Sequence, residues 1–274
     1  MSVLTELINL IKKPATMHYP SIPHTKMEAR GIPVPVDMNH CNSCKACENI
    51  CPTKAIHFRK EKSLEIDYGK CTLCGFCIDT CETSTLKDSS IVSVFSLQRE
   101  ALVYTYDSNG FNTTEDTAAD KQKSFQNLVK KKGFVFREVA ASGNNTVEME
   151  MNASFNNVFD MESEGIRACA SPKHADAILY SGPIGKNMQI PLQKAWDCLV
   201  KPKLLIAVGT EAASGGLFEK NEISESPGLY IIGDPPPPYV IIQALRYLQG
   251  KLDYSLSKEI SEFINKEQIK GAKQ

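Results

Sequence analysis

Residues 41–52 read CNSCKACENICP and residues 71–82 read CTLCGFCIDTCE, and both stretches contain the spacing C-x2-C-x2-C-x3-C. Three thiols spaced three residues apart in a tight loop can face one iron–sulfur cube, and the fourth cysteine ligates the other cube in two-cluster proteins. The pattern therefore predicts two 4Fe–4S clusters. The ligands would be Cys41, Cys44, Cys47 and Cys81 for the first cluster, and Cys71, Cys74, Cys77 and Cys51 for the second.

Zinc and disulfide bonds are the alternatives to iron–sulfur clusters. The chain has 10 cysteines, eight of which lie in the two repeats, and it lacks the secretory signal peptide expected of a disulfide-rich exported protein. A tetrahedral zinc ion takes four ligands and leaves the triple-plus-one spacing unexplained. Both alternatives are therefore disfavoured. The two cysteines outside the repeats, Cys169 and Cys198, are predicted to be buried core thiols.

Length and charge restrict the class of protein. A chain of 274 residues is long enough for two ordinary domains, and its formal net charge of −1 gives no electrostatic sign of nucleic-acid binding. No apolar run approaches the roughly 18–20 residues of a membrane-spanning helix. We therefore expect a cytoplasmic protein without a nucleic-acid partner.

The order of sequence patterns predicts an α+β ferredoxin-like two-cluster domain followed by an α/β domain. Beyond residue 132, apolar runs of strand length alternate with helix-like segments, which favours a mostly parallel, flavodoxin-like sheet. Ligands of such sheets bind at the carboxyl ends of the strands, here the turns at Gly182, Gly209 and Gly233. The predicted boundaries are 1–35 for an N-terminal amphipathic helix and Pro-rich arm, 36–106 for the ferredoxin domain, 107–132 for a polar linker, 133–253 for the α/β domain and 254–274 for a C-terminal helix.

Both parts of the chain resemble subunits of one class of membrane complex. The cysteine repeats with their Pro-rich lead-in, over residues 14–90, resemble the two-cluster ferredoxin subunit of respiratory complex I and of group 4 membrane-bound nickel–iron hydrogenases. Residues 134–250 resemble the small subunit of the same complexes, which holds the proximal cluster. The most specific strings there are ASPKHAD at 170–176 and GDPPPP at 233–238. The chain thus looks like a natural fusion of the two subunits.

The resemblance implies four cysteine ligands of a proximal cluster, but other residues occupy those places. Asn144 and Val147 stand where hydrogenase-type subunits carry a cysteine pair, Glu211 follows the glycine turn that carries the third, and Asp234 precedes the proline run in place of the fourth. We therefore expect the proximal cluster to be absent. Glu211 and Asp234 could bind a hard cation instead, or could cap helices and pair with lysines. Glu148 occupies the place of a family glutamate associated with proton transfer.

The function implied by the resemblance is that of an iron–sulfur electron-transfer subunit in a membrane-associated hydrogenase-like or complex I-like oxidoreductase complex, not catalytic alone. Its expected partners are the large subunit, the ion-translocating membrane subunits and a soluble low-potential electron donor. Its expected location is cytoplasmic, peripheral on the inner face of the cell membrane. One alternative is an assembly, docking or redox-sensing subunit without through electron transfer. A second is a soluble flavin-dependent oxidoreductase that holds its cofactor at the turn around Gly209.

Overall fold

The computed structural model of the protein describes residues 30–60 and 62–271. The helix predicted near the N-terminus and most of the Pro-rich arm lie outside these residues. The strands are β1 (Pro33–Pro35), β2 (Ile56–Lys60), β3 (Ser63–Asp67), β4 (Leu86–Asp88), β5 (Val94–Ser96), β6 (Val103–Asp107), β7 (Gly110–Thr113), β8 (Phe134–Ala140), β9 (Ile166–Ala168), β10 (Ala177–Ser181), β11 (Leu204–Val208) and β12 (Leu229–Ile232). The helices are α1 (Ala46–Ile50), α2 (Phe76–Asp79), α3 (Asp120–Lys132), α4 (Thr146–Ala153), α5 (Lys186–Asp197), α6 (Thr210–Ser214), α7 (Pro238–Leu248) and α8 (Leu256–Gly271).

The cysteine-rich part is built from antiparallel strands around the two repeats. β1 pairs with β4, and a second sheet has the order β2-β3-β6-β7. Alternate residues of β6 face a buried layer of aromatic rings, in which the hydroxyls of Tyr68 and Tyr106 are 2.7 Å apart and the Tyr68 hydroxyl also donates to the Pro33 carbonyl at 2.9 Å. These hydrogen bonds give the two buried tyrosine hydroxyls and the Pro33 carbonyl partners that burial would otherwise deny them.

The large sheet has six strands in the order β5-β12-β11-β10-β8-β9. Its five strands from β8 to β12 are parallel, and their spatial order is the 2-1-3-4-5 order of flavodoxin-like sheets. β10 and β11 are buried along their whole length, as expected for parallel strands covered on both faces. The predicted mostly parallel sheet is therefore confirmed, with β5 as an antiparallel edge strand.

Two segments differ from the simple picture of consecutive domains. β5 lies within residues 36–106, the predicted ferredoxin segment, but it pairs with β12 of the large sheet. The polar segment 107–132, predicted as a linker, contains β7 and the 13-residue helix α3. The helix forms there because Phe125 and Val129, one turn apart, are both fully buried against the body of the protein.

The helices place the large sheet's carboxyl edge next to the cysteine repeats. α6 begins at the end of β11 and packs against the 3₁₀ turn Tyr68–Lys70, which leads directly into Cys71.

α8 begins at Leu256, as predicted, and the Ser255 hydroxyl accepts a hydrogen bond from the Lys258 amide at 3.4 Å. None of the helices in residues 30–60 and 62–271 is long and apolar enough to cross a membrane.

Candidate iron–sulfur site

The two cysteine loops have the same local structure. Before each loop, an aspartate side chain caps a 3₁₀ turn: Asp37 accepts from the Asn39 amide at 2.9 Å, and Asp67 accepts from the Gly69 amide at 3.0 Å. Each loop then takes up left-handed backbone conformations that turn it around a centre, and a short helix follows. The left-handed residues are Ser43 and Lys45 in the first loop, and Leu73 and Gly75 in the second. The repeated sequence therefore folds as a structural duplication.

The first group of thiols surrounds Cys47. The pKa of the Cys47 thiol is raised to about 12, mainly by burial and in addition by the nearby thiols of Cys81, Cys41 and Cys44. These are the four cysteines that the spacing assigns to one cluster, and Cys81 comes from the other repeat. The fold thus brings the fourth cysteine of the second repeat across to the loop of the first.

The second group surrounds Cys77 and Cys71. Burial raises the pKa of Cys71 to about 12, with further contributions from Cys51 and Cys74. The pKa of Cys77 is also raised, first by burial and then by Cys71, Cys51 and Cys74. Here the fourth cysteine, Cys51, belongs to the first repeat. Each group of thiols therefore includes one cysteine from the other repeat, and the assignment of the two groups to two clusters stays a prediction.

Hydrogen-bond donors point at the sulfur atoms of both crossing cysteines. The Cys51 sulfur accepts from the Ala55 amide at 3.2 Å and lies 3.7 Å from the Thr53 hydroxyl. The Cys81 sulfur accepts from the Leu86 amide at 3.5 Å and lies 3.6 Å from the Thr83 hydroxyl. Hydrogen bonds to ligating sulfur atoms tune the reduction potential of a bound cluster. The repeated Cys-x-Thr pattern is the sequence signal for these threonines, and the spacing of the cysteines alone does not reveal it.

The donor set fits iron–sulfur clusters. The ten cysteines are free thiols. Their fit to clusters rests on residue type and on the crossed grouping, because within residues 30–60 and 62–271 no group of three or more histidine, cysteine, aspartate or glutamate side chains is placed to hold a single metal ion. The pKa values of Cys47, Cys71 and Cys77 are raised, and the positive charge of bound metal would favour the thiolate form of these three side chains. The two groups of four would supply thiolate ligands to two cubes, with the Thr53 and Thr83 hydroxyls beside them.

The two groups of thiols differ in their exposure. In the first group the Cys44 side chain is exposed to solvent, whereas in the second group Cys71 is buried.

The Thr210 hydroxyl, at the start of α6, donates to the Cys71 carbonyl at 3.0 Å, and Thr210 is fully buried. The second group is therefore attached directly to the carboxyl edge of the large sheet. No local sequence pattern indicates this contact, because it joins residues 139 positions apart.

Four residues occupy the places where the resemblance implies proximal-cluster cysteines. Asn144 is exposed, and its side-chain oxygen accepts hydrogen bonds from the Thr146 amide at 3.1 Å and the Thr146 hydroxyl at 2.7 Å. Val147 is buried and packs so closely on Gly209 that a Cβ atom there would lie 2.8 Å from Val147 Cγ2. The left-handed backbone of Gly209 and this contact both require glycine.

The carboxylates at the same edge form an acidic group. Burial raises the pKa of Glu211, and the charges of Asp234 and Glu148 raise it further. Glu148 is buried; its Oε1 accepts a hydrogen bond from the Ser181 hydroxyl, and its Oε2 has no hydrogen-bond partner among the described residues. None of the three carboxylates forms an ion pair in the part of the chain that the structure describes. Predicted pairing of Glu211 or Asp234 with a lysine is thus not found there.

The two remaining cysteines lie apart from both groups. The prediction that Cys198 is a buried core thiol is wrong: α5 ends at Asp197, and Cys198 caps the helix with an exposed side chain. Cys169 is partly buried, and its thiol donates to the Ser171 carbonyl at 3.2 Å.

Comparisons with known proteins agree with this division of the chain. Residues 144–248 match the family model of the NADH ubiquinone oxidoreductase 20 kDa subunit, and residues 40–85 match that of a 4Fe-4S dicluster domain. Both matches fall within one polypeptide. The predicted resemblance to a fusion of ferredoxin and small subunits is therefore confirmed.

Individual relatives come from hydrogenase-type and complex I-type systems. Formate hydrogenlyase subunit 7 of Escherichia coli is 31% identical over 170 residues, covering 57% of this chain and 66% of its own. An NADH-quinone oxidoreductase subunit of Rhodococcus opacus is 32% identical over 111 residues, covering 38% of this chain and 60% of its own. The NADH-quinone oxidoreductase subunit of Akkermansia muciniphila is 34% identical over 89 residues, covering 30% and 46%. This chain thus spans less than two thirds of each relative's length.

A solved structure also aligns with part of the chain. A chain from the membrane-bound sulfane sulfur reductase, an archaeal respiratory membrane complex, is 20% identical and covers 53% of this chain and 86% of its own, with a TM-score of 0.37.

Proposed function

We propose that this protein is an iron–sulfur electron-transfer subunit that carries two 4Fe–4S clusters and lacks a proximal cluster. The observation that carries the proposal is the crossed arrangement of eight thiols, in which each group of four includes one cysteine from the other repeat. Cys41, Cys44, Cys47 and Cys81 would hold one cluster, and Cys71, Cys74, Cys77 and Cys51 the other. The match of this region to a dicluster family supports the number of clusters.

The absence of the proximal cluster rests on the chemistry of the residues that replace its ligands. A 4Fe–4S cluster is held by cysteine thiolates, and Asn144, Val147, Glu211 and Asp234 supply none. Val147 also fills space against Gly209, and the Asn144 oxygen is engaged by Thr146. The uncompensated charges of Glu211 and Glu148 would repel a cluster that is itself negatively charged.

The setting of the subunit is proposed from its relatives. As relatives include subunits of a formate hydrogenlyase and of quinone oxidoreductases, the partners would be a hydrogenase-like or complex I-like large subunit and membrane ion-translocating subunits. A soluble low-potential protein would donate electrons. The protein would sit at the cytoplasmic face of the membrane without catalysing a reaction alone.

Iron and sulfide analysis with EPR spectroscopy on anaerobically purified full-length protein tests this proposal. Two clusters of four irons each give about eight irons per chain and two interacting reduced clusters. Cys51→Ser should lower the iron content by about four irons and remove one EPR signal, while Cys198→Ser, at an exposed cysteine outside both groups, should change neither. About twelve irons would refute the absence of a proximal cluster, and bound zinc without iron would refute the ferredoxin assignment.

The acidic group at Glu211 and Glu148 favours a second candidate function, an assembly, docking or redox-sensing subunit. The negative charge of these carboxylates would make electron transfer to an acceptor at this edge of the sheet less favourable. Rapid reduction of both clusters followed by reoxidation by a membrane acceptor in the intact complex supports electron transfer. Reduction without reoxidation supports the second function. The flavin alternative has less support, since the buried Glu211 carboxylate stands at the turn where a phosphate would bind.

A further inference from the structure

A cleft of 480 Å³ opens where the four-stranded sheet meets the large sheet. Its described lining contains five aromatic rings and two carboxylates but no lysine, arginine or histidine. We call this site the aromatic cleft, and it is defined by Phe95, Tyr104, Phe111, Asp116, Tyr247 and Tyr254. Its volume lies within the range of small-molecule sites, which often occur where two parts of a fold meet.

The rings of the aromatic cleft stand in two groups. In the first group, Phe95 of β5 lies 4.2 Å from Tyr254 and 5.6 Å from Tyr247, measured between ring centroids. In the second group, Tyr104 of β6 and Phe111 of β7 are 5.5 Å apart. Phe95 belongs to the large sheet, with Tyr247 on α7 and Tyr254 in the loop before α8, whereas Tyr104 and Phe111 belong to the four-stranded sheet. The two groups are therefore carried by different elements of the fold.

Asp116 gives this aromatic site its charge. Its carboxylate accepts hydrogen bonds from the Leu97 amide at 3.0 Å, the Gln98 amide at 3.1 Å and the Tyr247 hydroxyl at 2.9 Å. These donors hold the carboxylate in place but neutralise no charge, and no cation pairs with Asp116 in the described part of the chain. A second carboxylate, Glu115, is exposed at the edge of the cleft.

The field of Asp116 reaches the tyrosine hydroxyls around it. Burial raises the pKa of Tyr104 to about 12, and the Asp116 charge raises it as well. The pKa values of Tyr247 and Tyr254 are raised by burial and also by Asp116. Phenolate is therefore disfavoured at all three tyrosines. Phe95 and Tyr104 are almost fully buried, so the rings that a ligand could contact are those of Phe111, Tyr247 and Tyr254, which are partly exposed.

We propose that the aromatic cleft binds a small organic ammonium ion. Aromatic faces attract alkylated ammonium groups through the ring quadrupole, and the attraction grows when the site also removes the cation from water. Asp116 adds a full negative charge that a neutral ligand cannot use. The lack of any basic side chain in the described lining leaves this charge available to a ligand.

The test compares two ligands of the same shape that differ only in charge. Choline and its neutral analogue 3,3-dimethylbutan-1-ol are titrated into anaerobically purified full-length protein with its clusters, and binding is measured by calorimetry and by saturation-transfer NMR. We expect choline to bind at least about fivefold more tightly than the neutral analogue, as one cation–π contact near 1 kcal/mol corresponds to that ratio. Equal affinities would overturn the proposal, as would no choline binding at millimolar concentration.

Two variants assign the binding to this cleft. Asp116→Asn keeps an acceptor oxygen for the Leu97 and Gln98 amides but removes the charge, and Phe111→Leu removes one ring while it keeps an apolar side chain. Each should weaken choline binding about threefold to tenfold without changing the affinity for the neutral analogue. Glu219→Gln and Phe218→Leu alter an exposed carboxylate and an exposed ring elsewhere and should have no effect. Unchanged choline affinity in both cleft variants, with iron content and unfolding temperature intact, would overturn the assignment of binding to this cleft.

Discussion

The hydroxyl of Thr210 is the first target, since it joins the large sheet to the second group of thiols. It donates to the Cys71 carbonyl at 3.0 Å and accepts from the Gly233 amide at 3.3 Å. Thr210→Val keeps the shape of the side chain but removes both hydrogen bonds. As Thr210 is fully buried, water cannot replace the missing hydroxyl.

The expected size of the effect follows from the groups left without partners. A buried polar group that loses its partner costs about 1–3 kcal/mol, so the valine variant should lose about 2 kcal/mol of folding stability or more. Thr210→Ser keeps the hydroxyl and loses one methyl group, which costs about 1 kcal/mol. The serine variant is therefore the matched control, since it reduces packing but retains the bridge.

Two signals in one chemical unfolding experiment separate the bridge from general stability. Cluster absorbance reports on the cysteine groups, and the fluorescence of Trp196, the single tryptophan, reports on the large sheet and its helices. In Thr210→Val the cluster absorbance should be lost at lower denaturant concentration than in Thr210→Ser. A valine variant as stable as the serine variant by both signals would refute the role of the bridge.

Three further substitutions test other parts of the structure. Arg99→Lys should lower stability by about 1–2 kcal/mol in thermal unfolding, because lysine cannot reproduce the paired contacts of Arg99 with Asp67 at 2.7 and 2.8 Å; an unchanged midpoint would contradict this. Glu211→Gln should stabilise the protein at neutral pH, because the pKa of Glu211 is raised in the fold. The protonated side chain contributes fully to folding stability below the unfolded pKa of about 4.3, and this contribution is lost as pH rises through the raised pKa. Glutamine stays neutral at every pH. The prediction is contradicted if the unfolding temperature of the glutamine variant depends on pH in the same way as that of the parent. Tyr68→Phe should lower the free energy of unfolding in urea by about 1–2 kcal/mol, because the Tyr68 hydroxyl bonds to the Pro33 carbonyl and the Tyr106 hydroxyl. Tyr230→Phe is the control and should cost less, since the Tyr230 hydroxyl has no hydrogen bond in the described structure.

The regular part of the fold could be predicted because its sequence signals are local. The strands β10, β11 and β12 are nearly continuous apolar runs and β8 begins with one at Phe134–Phe136, and such runs between helices indicate a parallel sheet. The three-residue strand β9 carries one buried residue, Ile166, which is too weak a pattern to predict. The apolar pattern predicts β5 as a strand but not its partner, because pairing with β12 joins residues more than 130 positions apart.

In the candidate site, too, the features with a local sequence pattern could be predicted, and contacts between distant residues could not. Cysteine spacing predicts both groups of thiols because each loop sets its own three thiols in place. The Thr53 and Thr83 hydroxyls beside the crossing cysteines also have a local signal, the repeated Cys-x-Thr. The contact of Thr210 with Cys71 has none. The prediction for Cys198 is wrong because the helix ends at Asp197 and its capping residue, Cys198, is turned to solvent.

Exposure and charge together give the two cysteine groups different roles. The group containing Cys44 opens to solvent, where a donor protein can approach, while Cys71 is buried beside Thr210 and the acidic edge. With clusters in both groups, as we propose, a donor protein would reach the first cluster at its solvent-facing side, and the second cluster would lie next to the carboxyl edge of the large sheet. Electrons would then enter at the first cluster and leave through the second. Onward transfer would require a partner that contacts this edge of the large sheet.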